Sequence, residues 1–195
     1  MAATPVSQPA RRISADGDPL DLAYPRCELG VGDLISSPDS AKLIDGVQAE
    51  PFSLWPDDRG YFMEIARLGE GLAEAMPPAD TQISAALSYP GTIKAFHYHQ
   101  HQTDYWSIVS GMFQVALIDL RVDSATFGTR NTLYLGALRA WRLLIPPGVA
   151  HGYKVLGTDP GVLVYLTSRK YDGSDEGRIS HDHADLAYDW ELQHK

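Results

Sequence analysis

At 195 residues, 44% of them hydrophobic, the chain is long enough for one domain with a full core, and its net charge of −9 argues against a nucleic-acid surface, which needs a basic patch. The single cysteine, Cys27, cannot form an internal disulfide, so nothing in the composition asks for an oxidising compartment. No apolar stretch follows Arg11 and Arg12, and no run reaches the length of a membrane span, so a soluble cytoplasmic protein with no nucleic-acid or membrane partner is expected.

Residues 1–40 carry Pro5, Pro9, Pro19, Pro25 and Pro38 among Ser, Ala, Gly and Asp, with little periodic apolar pattern, and read as an N-terminal tail. From Ala41 the pattern changes, and residues 41–195 are expected to form the folded domain. Residues 47–54 look like strand, Pro56-Asp57-Asp58 like a turn, and Arg59 to Glu64 like the returning strand. One short helix is predicted over 70–76, stopped by Pro77-Pro78. Strands are then predicted over 81–89, 92–97, 105–110, 112–120, 132–138, 141–145, 152–156 and 162–167. Many short strands divided by turn residues, with almost no helix, predict an all-β antiparallel sandwich or barrel.

Chemistry concentrates between Gly91 and Gly111. His97, His99 and His101 alternate with Tyr98 and Gln100, and in a strand residues two apart share a face, so up to three imidazoles point the same way. Asp104 follows, at the head of an aromatic and β-branched run. The spacing of Gly91, His97, His99, Asp104 and Gly111 resembles the first motif of the cupin superfamily, with Asp where Glu is usual. Pro146-Pro147-Gly148-Val149-Ala150-His151 resembles the second. The resemblance implies a cupin-type antiparallel β-barrel (jelly roll) whose interior or mouth holds the histidines.

A more specific resemblance lies upstream. Asp57-Asp58-Arg59-Gly60-Tyr61-Phe62-Met63-Glu64 is similar to the D-x-R-G-x-F-x-E signature of the dTDP-4-dehydrorhamnose 3,5-epimerase family. Gly91 to Tyr98, Asp119-Leu120-Arg121, Ser124-x-Thr126-Phe127-Gly128, Ile145 to Gly152, and Tyr165 with Tyr171 match the family in the same order, over roughly residues 43–190. The resemblance implies an epimerase acting on a nucleotide-diphospho-4-keto-6-deoxy sugar through an enolate, with no cofactor. In it His97 removes a proton beside the ketone and Tyr165 returns one from the other face. A neutral imidazole suits the first role, since its reference pKa is about 6.5. The resemblance also implies Arg59 on the diphosphate through its planar fork, and Phe62 and Glu64 on the nucleobase. In the family these three come from a second subunit, so a homodimer is implied. Gln82, Ser84, Lys94, His99, Asp104, His151 and Tyr171 complete the expected substrate-binding set.

Several positions depart from the family. Gln82-Ile83-Ser84 stands for Gln-x-Asn, and Lys94 for an arginine. His99 replaces a glutamine, and Asp104 replaces the lysine that stabilises the enolate, which reverses the charge. The family's carboxylate partner of the catalytic histidine belongs to a segment beyond Lys195, so none is expected for His97. Read together, the changes at His99 and Asp104 complete a His97, His99, Asp104, His151 set suited to one divalent transition metal, whose charge could replace the lysine. A metal on His97 would conflict with its role as a base. A metal-dependent cupin, such as a dioxygenase, and a non-catalytic nucleotide-sugar binder therefore stand as alternatives. On residue type alone His97 reads as a hydrogen-bonded interior histidine and Tyr165 as core. His101, His181, His183 and His194 read as surface, the four tryptophans as packing, and Asp172, Asp175, Glu176, Asp182 and Asp185 as a solvated loop.

Overall fold

The structure is a computed structural model that describes residues 4–5 and 18–192. In chain order its strands are β1 (Thr4–Pro5), β2 (Ala23–Tyr24), β3 (Asp33–Leu34), β4 (Gln48–Pro51), β5 (Leu54–Asp57), β6 (Gly60–Met63), β7 (Gln82–Ser88) and β8 (Ile93–His99). There follow β9 (Asp104–Ser110), β10 (Met112–Asp119), β11 (Arg130–Gly136), β12 (Trp141–Ile145), β13 (Val149–Leu156), β14 (Gly161–Thr167) and β15 (Glu176–Arg178). They build a six-stranded sheet in the order β15-β8-β13-β10-β11-β3 and a five-stranded sheet in the order β4-β12-β9-β14-β7. Every pair is antiparallel except β3 with β11. This is the cupin jelly roll expected from the sequence.

Alternation along the strands makes the core. Phe113, Val115 and Leu117 of β10 and Val149, Tyr153 and Val155 of β13 face inward, against Trp106, Ile108, Leu143 and Leu163 of the other sheet. Each such fully buried side chain contributes about 1.5–3 kcal/mol of transfer free energy. The opposite face of β8 and β10, carrying Phe96, Tyr98, Ala116 and Ile118, is covered by Ile179, Leu186, Tyr188 and Trp190 of the C-terminal segment. Phe96 meets the rings of Tyr188 and Trp190 at centroid distances of 5.9 and 5.5 Å. That cover holds β15 beside β8.

Three local expectations change. The helix over 70–76 is a single 3-10 turn, Gly71–Ala73. Gly71 sits at φ +54°, outside the right-handed helical region, and so short a segment cannot offset the cost of helix nucleation. The described half of the proline-rich N-terminal stretch lies on the chain's own barrel, with Leu22, Val31 and Ile35 buried and β3 paired to β11. Most of residues 1–17 and His194 lie outside the described residues. Third, residues 54–63 form a separate β5–β6 hairpin that joins neither sheet.

Candidate active site

A cavity of about 360 Å³ opens between the two sheets, within the range of small-molecule sites. Alternation along β8 puts His97 and His99 on its wall while Phe96 and Tyr98 face the other way into the C-terminal cover. His101 does not join them: β8 ends at His99, and the following loop turns away. Asp175 shapes that turn by accepting from the backbone N–H groups of Gln100, His101 and Gln102 at 3.1, 2.9 and 3.0 Å. Asp175 is thus a buried structural carboxylate rather than part of a solvated loop.

Glu176 departs further from that expectation. The short strand β15 pairs Arg178 with His97 and Glu176 with His99, and the Glu176 side chain reaches back to His97, Oε1 to Nδ1 at 2.9 Å. The same oxygen accepts from Arg178 Nε at 2.6 Å. Burial raises the Glu176 pKa, but Arg178 and His97 outweigh it and hold the carboxyl below its ordinary range. An ionised carboxylate only accepts, so Nδ1 of His97 carries the proton and Nε2 is left as the basic nitrogen. Burial, with His151 adding to it and Glu176 opposing, pushes the His97 pKa below its ordinary value. His97 thus has a carboxylate partner in Glu176, which was not expected from the sequence. Sequence reasoning passed over Glu176 because it sits among acidic residues with no periodic pattern.

The facing sheet supplies Tyr165, which stands on β14 opposite Trp106 of β9 and Ser84 of β7 in the strand register and lines the same cavity. His97 and Tyr165 so occupy opposing walls. Gln82 lines the cavity, donating to Ser84 Oγ at 3.1 Å and accepting from the backbone N–H of Tyr171 at 3.2 Å. Ser84 itself does not reach the wall. Lys94 and Arg178 are the cationic lining residues and Tyr171 lies at the rim, 64% exposed.

Below them sits a buried group. His99, Asp104 and His151 each offer a ligand-type atom within 4.8 Å of the others. His151 Nε2 lies 3.3 Å from Asp104 Oδ2, and His99 Nε2 lies 3.8 Å from Asp104 Oδ1. The amide nitrogen of Gln102 donates to Asp104 Oδ1 at 2.6 Å and to His99 Nε2 at 3.1 Å. Burial raises the Asp104 pKa, yet His151, His99 and Gln102 together hold it below the ordinary range. His97 is outside this group, so the four-residue set expected from the sequence divides into a His97–Glu176 pair and a His99–Asp104–His151 cluster.

Arg59, Phe62 and Glu64 do not reach the cavity of their own chain. They ride on the β5–β6 hairpin, where Arg59 pairs with Asp57, Glu64 pairs with Arg67 at 2.9 Å, and Phe62 is 65% exposed against Trp55.

The model of the dTDP-4-dehydrorhamnose 3,5-epimerase family matches residues 41–195. The spore coat polysaccharide biosynthesis protein SpsL of Bacillus subtilis (strain 168) is 44% identical over 153 residues, 77% of this chain and 99% of its own length. The probable low-salt glycan biosynthesis epimerase Agl13 of Haloferax volcanii is 29% identical over 153 residues, 77% of this chain and 96% of its own. Among solved structures, dTDP-6-deoxy-D-glucose-3,5-epimerase RmlC from Legionella pneumophila Philadelphia 1, in complex with dTDP-4-keto-L-rhamnose, superposes with a TM-score of 0.67 at 27% identity. The match covers 77% of this chain and 81% of that one.

Proposed function

The chain belongs to the dTDP-4-dehydrorhamnose 3,5-epimerase family, and from that membership we propose that it epimerises a nucleotide-diphospho-4-keto-6-deoxy sugar at carbon beside the ketone. The observation that carries the reading is the His97–Glu176 pair facing Tyr165 across one cavity. His97 Nε2 takes the proton from the carbon adjacent to the carbonyl, the C–H electron pair moves into the enolate, and Glu176 accepts from Nδ1–H and stabilises the imidazolium. Tyr165 O–H then gives a proton to the opposite face of the same carbon; solvent reprotonates the phenolate and takes the abstracted proton from His97, which restores both residues. Opposite-face delivery is what inversion requires.

The hairpin supports a homodimer. Trp55, Tyr61 and Phe62 are more than half exposed, as are Ile83 and Leu87 on the edge strand β7 and Tyr89 just after it, apolar side chains of the kind an interface covers. In a dimer Arg59, Phe62 and Glu64 would enter the partner's cavity and hold the diphosphate and base, while Lys94 and Arg178 would meet the phosphates from this chain. Among the described residues no helix is long and apolar enough to cross a membrane, and Cys27 is a free thiol; both accord with a cytoplasmic enzyme of polysaccharide biosynthesis. The test is deuterium uptake from heavy water into dTDP-4-keto-6-deoxyglucose, read by mass spectrometry. Uptake by the wild type, lost in His97→Asn, is expected. No uptake by the wild type into this or other nucleotide-linked 4-keto-6-deoxy sugars would sink the reading.

A further inference from the structure

Beside the His97–Glu176 pair stands a third side chain, Arg178, whose contacts tie the base to the open side of the cavity. Arg178 is directly opposite His97 in the register of β15 with β8, so both side chains face the cavity from neighbouring strands. The backbone around it is fixed. Phe96 and Ile179 exchange N–H···O bonds of 2.7 and 2.9 Å just after it, and Gly177 lies against the Tyr98 ring just before it. The side chain is freer, being 71% exposed where that of Glu176 is 11% exposed.

Two donors converge on one oxygen. Glu176 Oε1 accepts from Arg178 Nε at 2.6 Å and from His97 Nδ1 at 2.9 Å. Among the described residues no other hydrogen bond engages the guanidinium, so both of its Nη groups are open to an anion. An exposed ion pair by itself adds little and holds a long side chain poorly. Arg178 alone therefore sets the Glu176 carboxylate only loosely, and a second anion on the Nη side would lock the planar fork in place.

We propose that Arg178 is a positioning residue that couples the substrate's diphosphate to the base, its Nη groups taking a phosphate oxygen while its Nε holds Glu176 on His97. This rests on the epimerase reading and adds to it a path by which binding energy from the nucleotide end is spent at the reacting carbon. The imidazole is fully aligned only when a diphosphate is bound, so a keto sugar without one reacts slowly even where the sugar pocket admits it. The dual contact needs the fork of arginine. A lysine ammonium is a point charge that can meet a phosphate but cannot present separate nitrogens to two anions at fixed angles.

The test is a double-mutant cycle on the full chain, with dTDP affinity read by calorimetry and kcat by deuterium uptake into saturating dTDP-4-keto-6-deoxyglucose. Arg178→Gln is expected to weaken dTDP binding about 10-fold and to lower kcat about 10-fold. In a Glu176→Gln background the same change should again weaken dTDP binding but lower kcat by less than about twofold, because the carboxylate it acts through is gone. Arg178→Lys should recover most of the dTDP affinity and little of the kcat. A kcat loss that persists undiminished in the Glu176→Gln background, a kcat restored by lysine, or a dTDP affinity unchanged in Arg178→Gln would each overturn the coupling and leave the epimerase standing. Wild type that binds dTDP but takes up no deuterium would remove the epimerase reading and the coupling together.

Discussion

A single side chain repairs what the departures from the family pattern leave open. Glu176 touches both His97 and Arg178, is 11% exposed and lines the cavity beside the imidazole it orients. Glu176→Gln keeps the shape but removes the charge that stabilises the imidazolium. We expect kcat to fall by about 100-fold with KM little changed and thermal stability near wild type. An unchanged kcat would show that His97 needs no carboxylate. The histidines also differ in ways that spacing cannot express. His97 and His99 share a face two residues apart, yet one pairs with Glu176 and the other with Gln102 and Asp104, because their neighbours come from different strands.

At the level of elements, the pairing of β15 with β8 decides whether the site forms. Gly177 makes it possible: a Cβ there would overlap Cζ of the Tyr98 ring, which lies across the glycine. Tyr98 is fully buried under the C-terminal segment and cannot give way cheaply. Gly177→Ala must therefore push β15 off β8 and carry Glu176 away from His97. Expected are a loss of about 1–3 kcal/mol in stability and roughly 100-fold in kcat, the latter close to that of Glu176→Gln. Urea unfolding and steady-state kinetics on the one variant measure both. If stability falls and kcat does not, the strand's register is irrelevant to catalysis. The β5–β6 hairpin is the opposite kind of element, held by its own ladder and carrying its chemistry away from the barrel.

For the molecule as a whole, the hairpin makes a prediction no monomer can satisfy. Arg59→Ala and His97→Asn should each be nearly inactive alone. Mixed after co-refolding, they form heterodimers in which one of the two cavities holds both native residues, so activity should return to a sizeable fraction of wild type. Its absence, with heterodimers demonstrated by mass spectrometry, would mean that Arg59 serves its own chain.

Much of this was legible in the linear chain. The two-residue period along β8, β9 and β10 is a local property, and it marks the inward positions of His97, Asp104 and Val115 wherever the strands end up. The D-x-R-G-x-F-x-E stretch and the Pro-x-Gly-x-x-His turn likewise named the family, because they are contiguous. The expected helix at 70–76 failed where local signals misled, with glycine at 71 in a conformation no α-helix uses. What only the tertiary structure decided is which distant groups meet. Glu176 lies 79 residues from His97, in an acidic run that reads as solvated until the apolar cover of Ile179, Leu186, Tyr188 and Trp190 pins it to the barrel. The division of four candidate ligands into a His97–Glu176 pair and a separate His99–Asp104–His151 cluster follows from the register of β8 with β13 and β15. Strand alternation determines which way a side chain faces, but cross-strand registry, set by burial of surfaces far apart in sequence, determines what it faces.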